Sequence, residues 1–146
     1  MAALADTNIL VYGFDPRFPT KKVVARDLLR RGLVAGDLHL PHQALVEFVS
    51  AVRKPVLPGT EGLLSASEAL REVEAFLTEF PVLYPDATLL RTAVRGFATY
   101  RLSWFDAHLW AYAERFGLDT IYSEDFVHGG IYGAVRVVNP FLGKSA

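Results

Sequence analysis

What most constrains this chain is the alternation of short apolar runs with longer segments of helical period. The runs are Ala2 to Ala5, Leu38 to Leu40, Val82 to Tyr84, Thr120 to Tyr122 and Val135 to Val138. Each is too short for a stable helix and fits a buried strand. Between them, Thr20 to Arg31 is basic and amphipathic, with Thr20 as N-cap and Gly32 as a stop signal. From Pro41, residues Leu45, Phe48, Val49 and Val52 recur at helical spacing until Pro55, and Pro55 to Gly62 reads as a loop. A helix from Ser65 or Ser67 to about Phe80 has Ser65 and Glu68 placed as a capping box. Two more run from Pro85-Asp86 to about Tyr100 and from Ser103 to Phe116, the last closed by Gly117. Short strands separated by helices require right-handed crossovers. The pattern therefore predicts an α/β fold, a three-layer sandwich with a central, mainly parallel sheet flanked by helices.

At 146 residues, with no internal repeat or composition shift, residues 1–146 are expected to form a single domain. The absence of cysteine excludes thiolate nucleophiles, cysteine zinc sites and disulfide scaffolds, so a metal would sit on oxygen or imidazole. No apolar run approaches the roughly 18 residues needed to cross a bilayer, and the N-terminus lacks a signal-peptide pattern. No membrane association and a cytoplasmic location are therefore expected. The net charge of −1 argues for no polyanionic partner. Lys22, Arg26 and Arg30, and later Arg91 and Arg95, recur at four-residue spacing and read as solvated helix faces.

In open α/β sheets ligands bind beyond the carboxyl ends of the strands. Asp6 directly follows the first strand, and Asp125 lies in Ser123-Glu124-Asp125 after the Thr120 to Tyr122 strand. Asp106 sits in the first turn of a helix and Glu47 inside the helix after the second strand. Each has an ordinary explanation: an Asx turn or cap at Asp6, a solvated stripe with Gln43, Ser50 and Lys54 for Glu47, a capping box with Ser103 for Asp106, and a polar turn at Asp125. If the four converge, their mutual repulsion calls for a divalent cation, and carboxylate oxygens suit Mg²⁺ or Mn²⁺. Phosphodiester hydrolysis is the natural use of such a site.

Taken together the segments resemble the PIN-domain family, and VapC toxins within it. Leu4-Ala5-Asp6-Thr7-Asn8-Ile9-Leu10 is similar to the family's opening strand and turn, and Leu45-Val46-Glu47-Phe48 to its helical glutamate. Ser103 to Ala113 carries a third acid at Asp106, and Ser123-Glu124-Asp125-Phe126 resembles the Thr/Ser-x-Asp element. Val137-Val138-Asn139-Pro140-Phe141 looks like the closing strand and tail of VapC toxins. The resemblance implies a Mg²⁺- or Mn²⁺-dependent endoribonuclease, the toxin of a toxin-antitoxin pair. Asp6, Glu47, Asp106 and Asp125 would bind metal and activate water, with Thr7, Asn8 and Ser123 as supporting hydrogen-bond partners. It also implies an RNA substrate, a cognate antitoxin and a homodimer.

Glu124 either points away from Asp125 or makes the site more acidic than usual. Two other functions stay open: a catalytically silent PIN-like module that binds RNA or protein, and a hydrolase of small phosphates, for which Asp6-Thr7-Asn8 lacks a second aspartate. His39, His42, His108 and His128 show no zinc spacing. The aromatic helix with Trp104, Phe105, Trp110, Tyr112 and Phe116 is better explained by core and dimer packing than by base stacking. Gly129-Gly130 is read as a turn, since no nucleotide-binding fingerprint is present.

Overall fold

A computed structural model describes residues 2–143 of the chain. Its first strand, β1 (Ala3–Ala5), is wholly buried, and the pleat sends alternate side chains to opposite faces. Ala3 and Ala5 join one apolar core and Leu4 joins another. The strand is thus central and both faces of the sheet are covered. Among the described residues the strands run in the order β3-β2-β1-β4-β6-β5, with β2 (Leu38–Pro41), β3 (Val82–Leu83), β4 (Thr120–Tyr122), β5 (Ile131–Tyr132) and β6 (Val135–Val138). All neighbouring pairs are parallel except β5 with β6. This is the three-layer, mainly parallel architecture the alternation predicts.

One face is covered by α1 (Thr7–Tyr12), α2 (Pro19–Ala35), α3 (His42–Arg53) and α4 (Ala66–Glu79), with Phe48 and Phe76 edge-on at 5.3 Å in the core. The other is covered by α5 (Ala87–Tyr100) and α6 (Trp104–Phe116), with Trp110 buried and its ring nitrogen donating to the Tyr132 carbonyl at 3.0 Å. The expected caps are present at Ser65, which forms the full capping box with Glu68, at Asp86 and at Ser103. Lys54, extended before Pro55, ends α3. Among the described residues no helix is long and apolar enough to cross a membrane.

Three local expectations are corrected. The segment after Asp6 is not a polar turn but the six-residue helix α1, too short to display a period. Helix α2 begins at Pro19, not after a Thr20 cap; Phe18 occupies the N-cap without a side-chain bond, and Pro19 supplies a preset backbone. Nor does Gly32 stop that helix, which runs on to Ala35 and closes on Gly36 in the left-handed conformation. Gly32 is instead a point of close approach: a Cβ there would lie 2.5 Å from Leu38 Cβ on β2. The hairpin partner β5 carries only two residues and gave no strand signal.

Candidate active site

The site grows from the register of the two central strands. Ala5 is paired with Tyr122, so the next residues, Asp6 and Ser123, emerge side by side at the carboxyl edge of the sheet. The Asp6 N–H continues the ladder to the Tyr122 carbonyl at 3.0 Å. Ser123, fully buried, donates its hydroxyl to Asp6 Oδ2 at 2.6 Å and accepts the Asp125 N–H at 3.1 Å. One serine therefore fixes both aspartates. Asp6 also caps α1, its Oδ1 accepting the Thr7 N–H at 2.6 Å.

Helix α1 then delivers two further polar groups. The Thr7 hydroxyl donates to Glu47 Oε2 at 2.9 Å, which brings the acid of α3 to the same edge. The Asn8 amide nitrogen reaches Asp6 Oδ2 and Asp125 Oδ2, both at 3.3 Å. Asp106 stands in the first turn of α6, its N–H bonded to Ser103 Oγ at 3.1 Å. It is half-buried and feels the charge of Asp125. All four predicted acids, with Thr7, Asn8 and Ser123, thus belong to one electrostatic and hydrogen-bonded group.

The Asp6 carboxyl is raised to about 6, first by burial and then by the charges of Asp125 and Glu47, against the bonds from Ser123 and Thr7. Asp106 is raised too, first by burial and then by Asp125, with the Ser103 hydrogen bond opposing. An apolar setting and like charges both disfavour the ionised form, so the cluster carries an uncompensated electrostatic strain.

Among the described residues no group of three or more His, Cys, Asp or Glu side chains is drawn together into a direct metal-holding arrangement. The donors are nonetheless those of a hard cation: carboxylate oxygens, no thiolate, and Asn8 Oδ1, which is buried without a hydrogen-bond partner. Mg²⁺ is held through one or two carboxylates while keeping several waters, so it needs no all-protein cage. The residues present fit such an ion.

The neighbouring groups are accounted for. Glu124 turns away from the acids: it accepts from Tyr12 Oη, and its Oε2 pairs with Lys21 Nζ at 3.0 Å. Lys21 also lies over the Tyr12, Phe18 and Phe141 rings, so this unit pins the Asp125 loop to α1 and α2. His108 is spent on the Trp104 carbonyl at 2.8 Å, and His128 Nδ1 accepts the Asn139 N–H at 3.0 Å. Arg26 of the basic stripe donates to the Gly13 carbonyl at 2.6 Å, and Arg30 pairs with Asp27 on its own helix. Sequence reasoning missed Tyr12, Lys21 and Arg17 as neighbours of the site. Their signal is the polar and aromatic string from Tyr12 to Lys21, which runs from the end of α1 into the first turn of α2.

The family profile of the PIN domain matches residues 3–128. No curated protein matches the chain. Among solved structures, the chain is similar to a toxin-antitoxin complex from Klebsiella pneumoniae, at 19% identity and TM-score 0.66 over 95% of this chain and 98% of that one. It is similar to VapBC2 from Rickettsia felis, bound to a DNA fragment from its promoter, at 12% identity and TM-score 0.68 over 94% and 97%. The sarcin-ricin loop cleaving toxin VapC20 from Mycobacterium tuberculosis aligns at 16% identity and TM-score 0.59 over 85% and 90%.

Proposed function

The chain belongs to the PIN-domain family, matched along most of its length, and on that premise we propose that it is a metal-dependent endoribonuclease acting as the toxin of a toxin-antitoxin pair. The observation that carries this reading is the gathering of Asp6, Glu47, Asp106 and Asp125 at the carboxyl edge of the parallel sheet, with Asp6 buried and raised to about 6. A carboxylate held in such a setting is destabilised as an ion until a cation arrives. Asp6, Asp106, Asp125 and Glu47 are the proposed holders of Mg²⁺ or Mn²⁺, with Thr7, Asn8 and Ser123 in support. When bound, the ion supplies charge neutralisation at a phosphate and lowers the pKa of water.

The protein's own groups do the rest. Ser123 holds the Asp6 carboxylate and the Asp125 backbone, Asn8 bridges the two carboxylates, and Thr7 orients Glu47. Glu47 and Asp106 are both only partly buried, so either is accessible to take a proton from an attacking water. The water oxygen bonds to phosphorus as the P–O bond to one flanking ribose oxygen breaks, and that oxygen takes a proton from solvent and leaves as a hydroxyl, so one new end carries the phosphate and the other the hydroxyl. An antitoxin is the proposed protein partner, in keeping with the toxin-antitoxin complexes among the structural neighbours. A homodimer is also proposed, on the exposed apolar face of Leu90, Val94 and Phe97 on α5, next to the exposed Trp104.

The test is cleavage of a mixed RNA pool by wild type and Asp6→Ala with Mg²⁺, Mn²⁺ or EDTA. Metal-dependent cutting that is lost in the variant is expected; wild-type rates in a folded Asp6→Ala protein would sink the proposal. The lack of a ready-made coordinating group among the described residues favours one second reading, a silent RNA- or protein-binding module. That reading requires that the wild type bind neither ion at millimolar concentration.

A further inference from the structure

The acid cluster raises a problem for any nucleic-acid substrate, because a patch of carboxylates repels the phosphates flanking the one to be cut. A groove of about 350 Å³ contains the counterweight: it is lined by Thr7, Asn8 and Asp125 from the acid site and also by Tyr12, Arg17 and Phe18. Arg17 is the cation of this groove that is both exposed and fixed in place. Its side chain is 49% exposed, yet Nε and Nη2 donate to the two oxygens of Asp15 at 2.9 and 2.7 Å. Asp15 is itself almost fully buried and also accepts the Arg17 N–H at 3.0 Å. The guanidinium lies over the Phe18 ring at 5.6 Å. A buried carboxylate behind and an aromatic ring beside it hold the fork in one orientation, and its other N–H groups remain for a ligand. Lys21, by contrast, is engaged by Glu124 and Tyr12.

We propose that Arg17, braced by Asp15, is a binding site for a phosphate of single-stranded RNA neighbouring the one placed at the acids. The inference rests on the ribonuclease reading above. A guanidinium matches phosphate bidentately, and pre-orientation by Asp15 removes most of the side-chain entropy lost on binding. Val11, Tyr12, Phe18 and Ala51 line the groove beside its polar groups, which suits an unpaired strand with a base beside Phe18 better than a duplex. Arg17 is a binding residue and takes no part in bond breaking.

The experiment uses the full chain and a fluorescent single-stranded RNA oligonucleotide that the wild type cuts in Mn²⁺. Cleavage and anisotropy are followed from about 50 to 300 mM KCl for wild type, Arg17→Ala and Arg17→Lys. Arg17→Ala should raise KM about tenfold, with the loss falling on KM rather than kcat. Its binding should lose roughly 0.7 from the slope of log K against log salt, the share of one phosphate contact on a single strand. Arg17→Lys should restore the salt slope but only part of the affinity, since a point charge lacks the fork. A second arm neutralises single linkages beside the cut site as methylphosphonates. One such substitution should weaken wild type about tenfold, an outcome that needs no variant to fold, and should have no further effect in Arg17→Ala. An unchanged KM and salt slope in a cutting Arg17→Ala protein would overturn the site while leaving the nuclease intact. A wild type that neither binds nor cuts RNA with Mn²⁺ would overturn both.

Discussion

Replacing Asp6 by asparagine should make the protein more stable at neutral pH while destroying the proposed activity. The unfolded aspartate titrates at 3.8 and the folded one at about 6. Between these values the native chain retains a proton that the unfolded chain has released, so stability falls as pH rises through this window and stays low above it. Two pKa units at about 1.4 kcal/mol each amount to roughly 3 kcal/mol lost at pH 8. The amide introduced by Asp6→Asn carries no charge and escapes that penalty. It cannot, however, accept from Thr7 N–H, Asn8 Nδ2 and Ser123 Oγ together as the carboxylate does. One mismatched donor costs about 1 to 2 kcal/mol. The net expectation is a gain of about 1 to 2 kcal/mol at pH 8, or on the order of 2 to 8 °C in Tm for a chain of this length. At pH 3, where Asp6 is protonated in both states, the gain should vanish or reverse. Urea unfolding in EDTA, followed by tryptophan fluorescence at pH 3, 5, 6.5 and 8, measures both quantities. An Asp6→Asn variant less stable than wild type at pH 8, or a difference independent of pH, would refute the reasoning. Adding Mn²⁺ at about 100 times its Kd should raise wild-type stability by roughly 2.7 kcal/mol and leave the variant where it was.

Gly32→Ala would ordinarily stabilise a helix by about 1 kcal/mol, but the new Cβ meets Leu38 Cβ at 2.5 Å. We expect a loss of about 1 to 3 kcal/mol in denaturant titration, and a gain would show that α2 and β2 separate easily. Adjacent acids should behave oppositely: Asp125→Asn should abolish RNA cutting. Glu124→Gln, whose side chain faces Tyr12 and Lys21, should keep the cleavage rate within about threefold and cost less than about 1 kcal/mol; equal loss in both would contradict the assigned orientations. Asp15 is held below the usual carboxylate range by the Arg17 hydrogen bonds, so its stabilisation is present above pH 3.8 and is lost as pH falls through its lower folded value. Asp15→Asn should therefore lower Tm at pH 7, and the gap to wild type should narrow toward pH 2; a pH-independent gap would assign the effect to packing instead.

The order of strands and helices was legible because apolar runs and helical period are local properties. So were most caps: Ser65, Asp86 and Ser103 bond the N–H groups their spacing implies. What failed was whatever was too short to repeat a period or depended on a distant partner. Helix α1 spans fewer than two turns, and β5 is two residues set between Gly130 and Gly133, whereas the equally short β3 was legible because Val82-Leu83-Tyr84 is an unbroken apolar run. Gly32 reads locally as a terminator, yet its reason is Leu38 on a different element. Arg17 sits in a string with no period at all, and only Asp15, Phe18 and the groove give it a role.

For the site, the residues alone determined the donor chemistry on offer: with no cysteine, and with acids at the strand exits, a metal there would meet oxygen or imidazole. They could not determine that Asp6, Glu47, Asp106 and Asp125 share one field, because each acid alone is equally consistent with a cap or a solvated face. That was decided by the register Ala5 opposite Tyr122, which sets Asp6 beside Ser123. The turn of α1 then carries Thr7 to Glu47 and Asn8 to Asp125. Burial decided the charge state in the same way: a carboxyl at the end of a strand is an ordinary acid in water, and it rises to about 6 only because it is buried and has Asp125 and Glu47 as neighbours. Sequence spacing fixes what a residue can do chemically, whereas solvation and the field of distant charges exist only once the chain has folded.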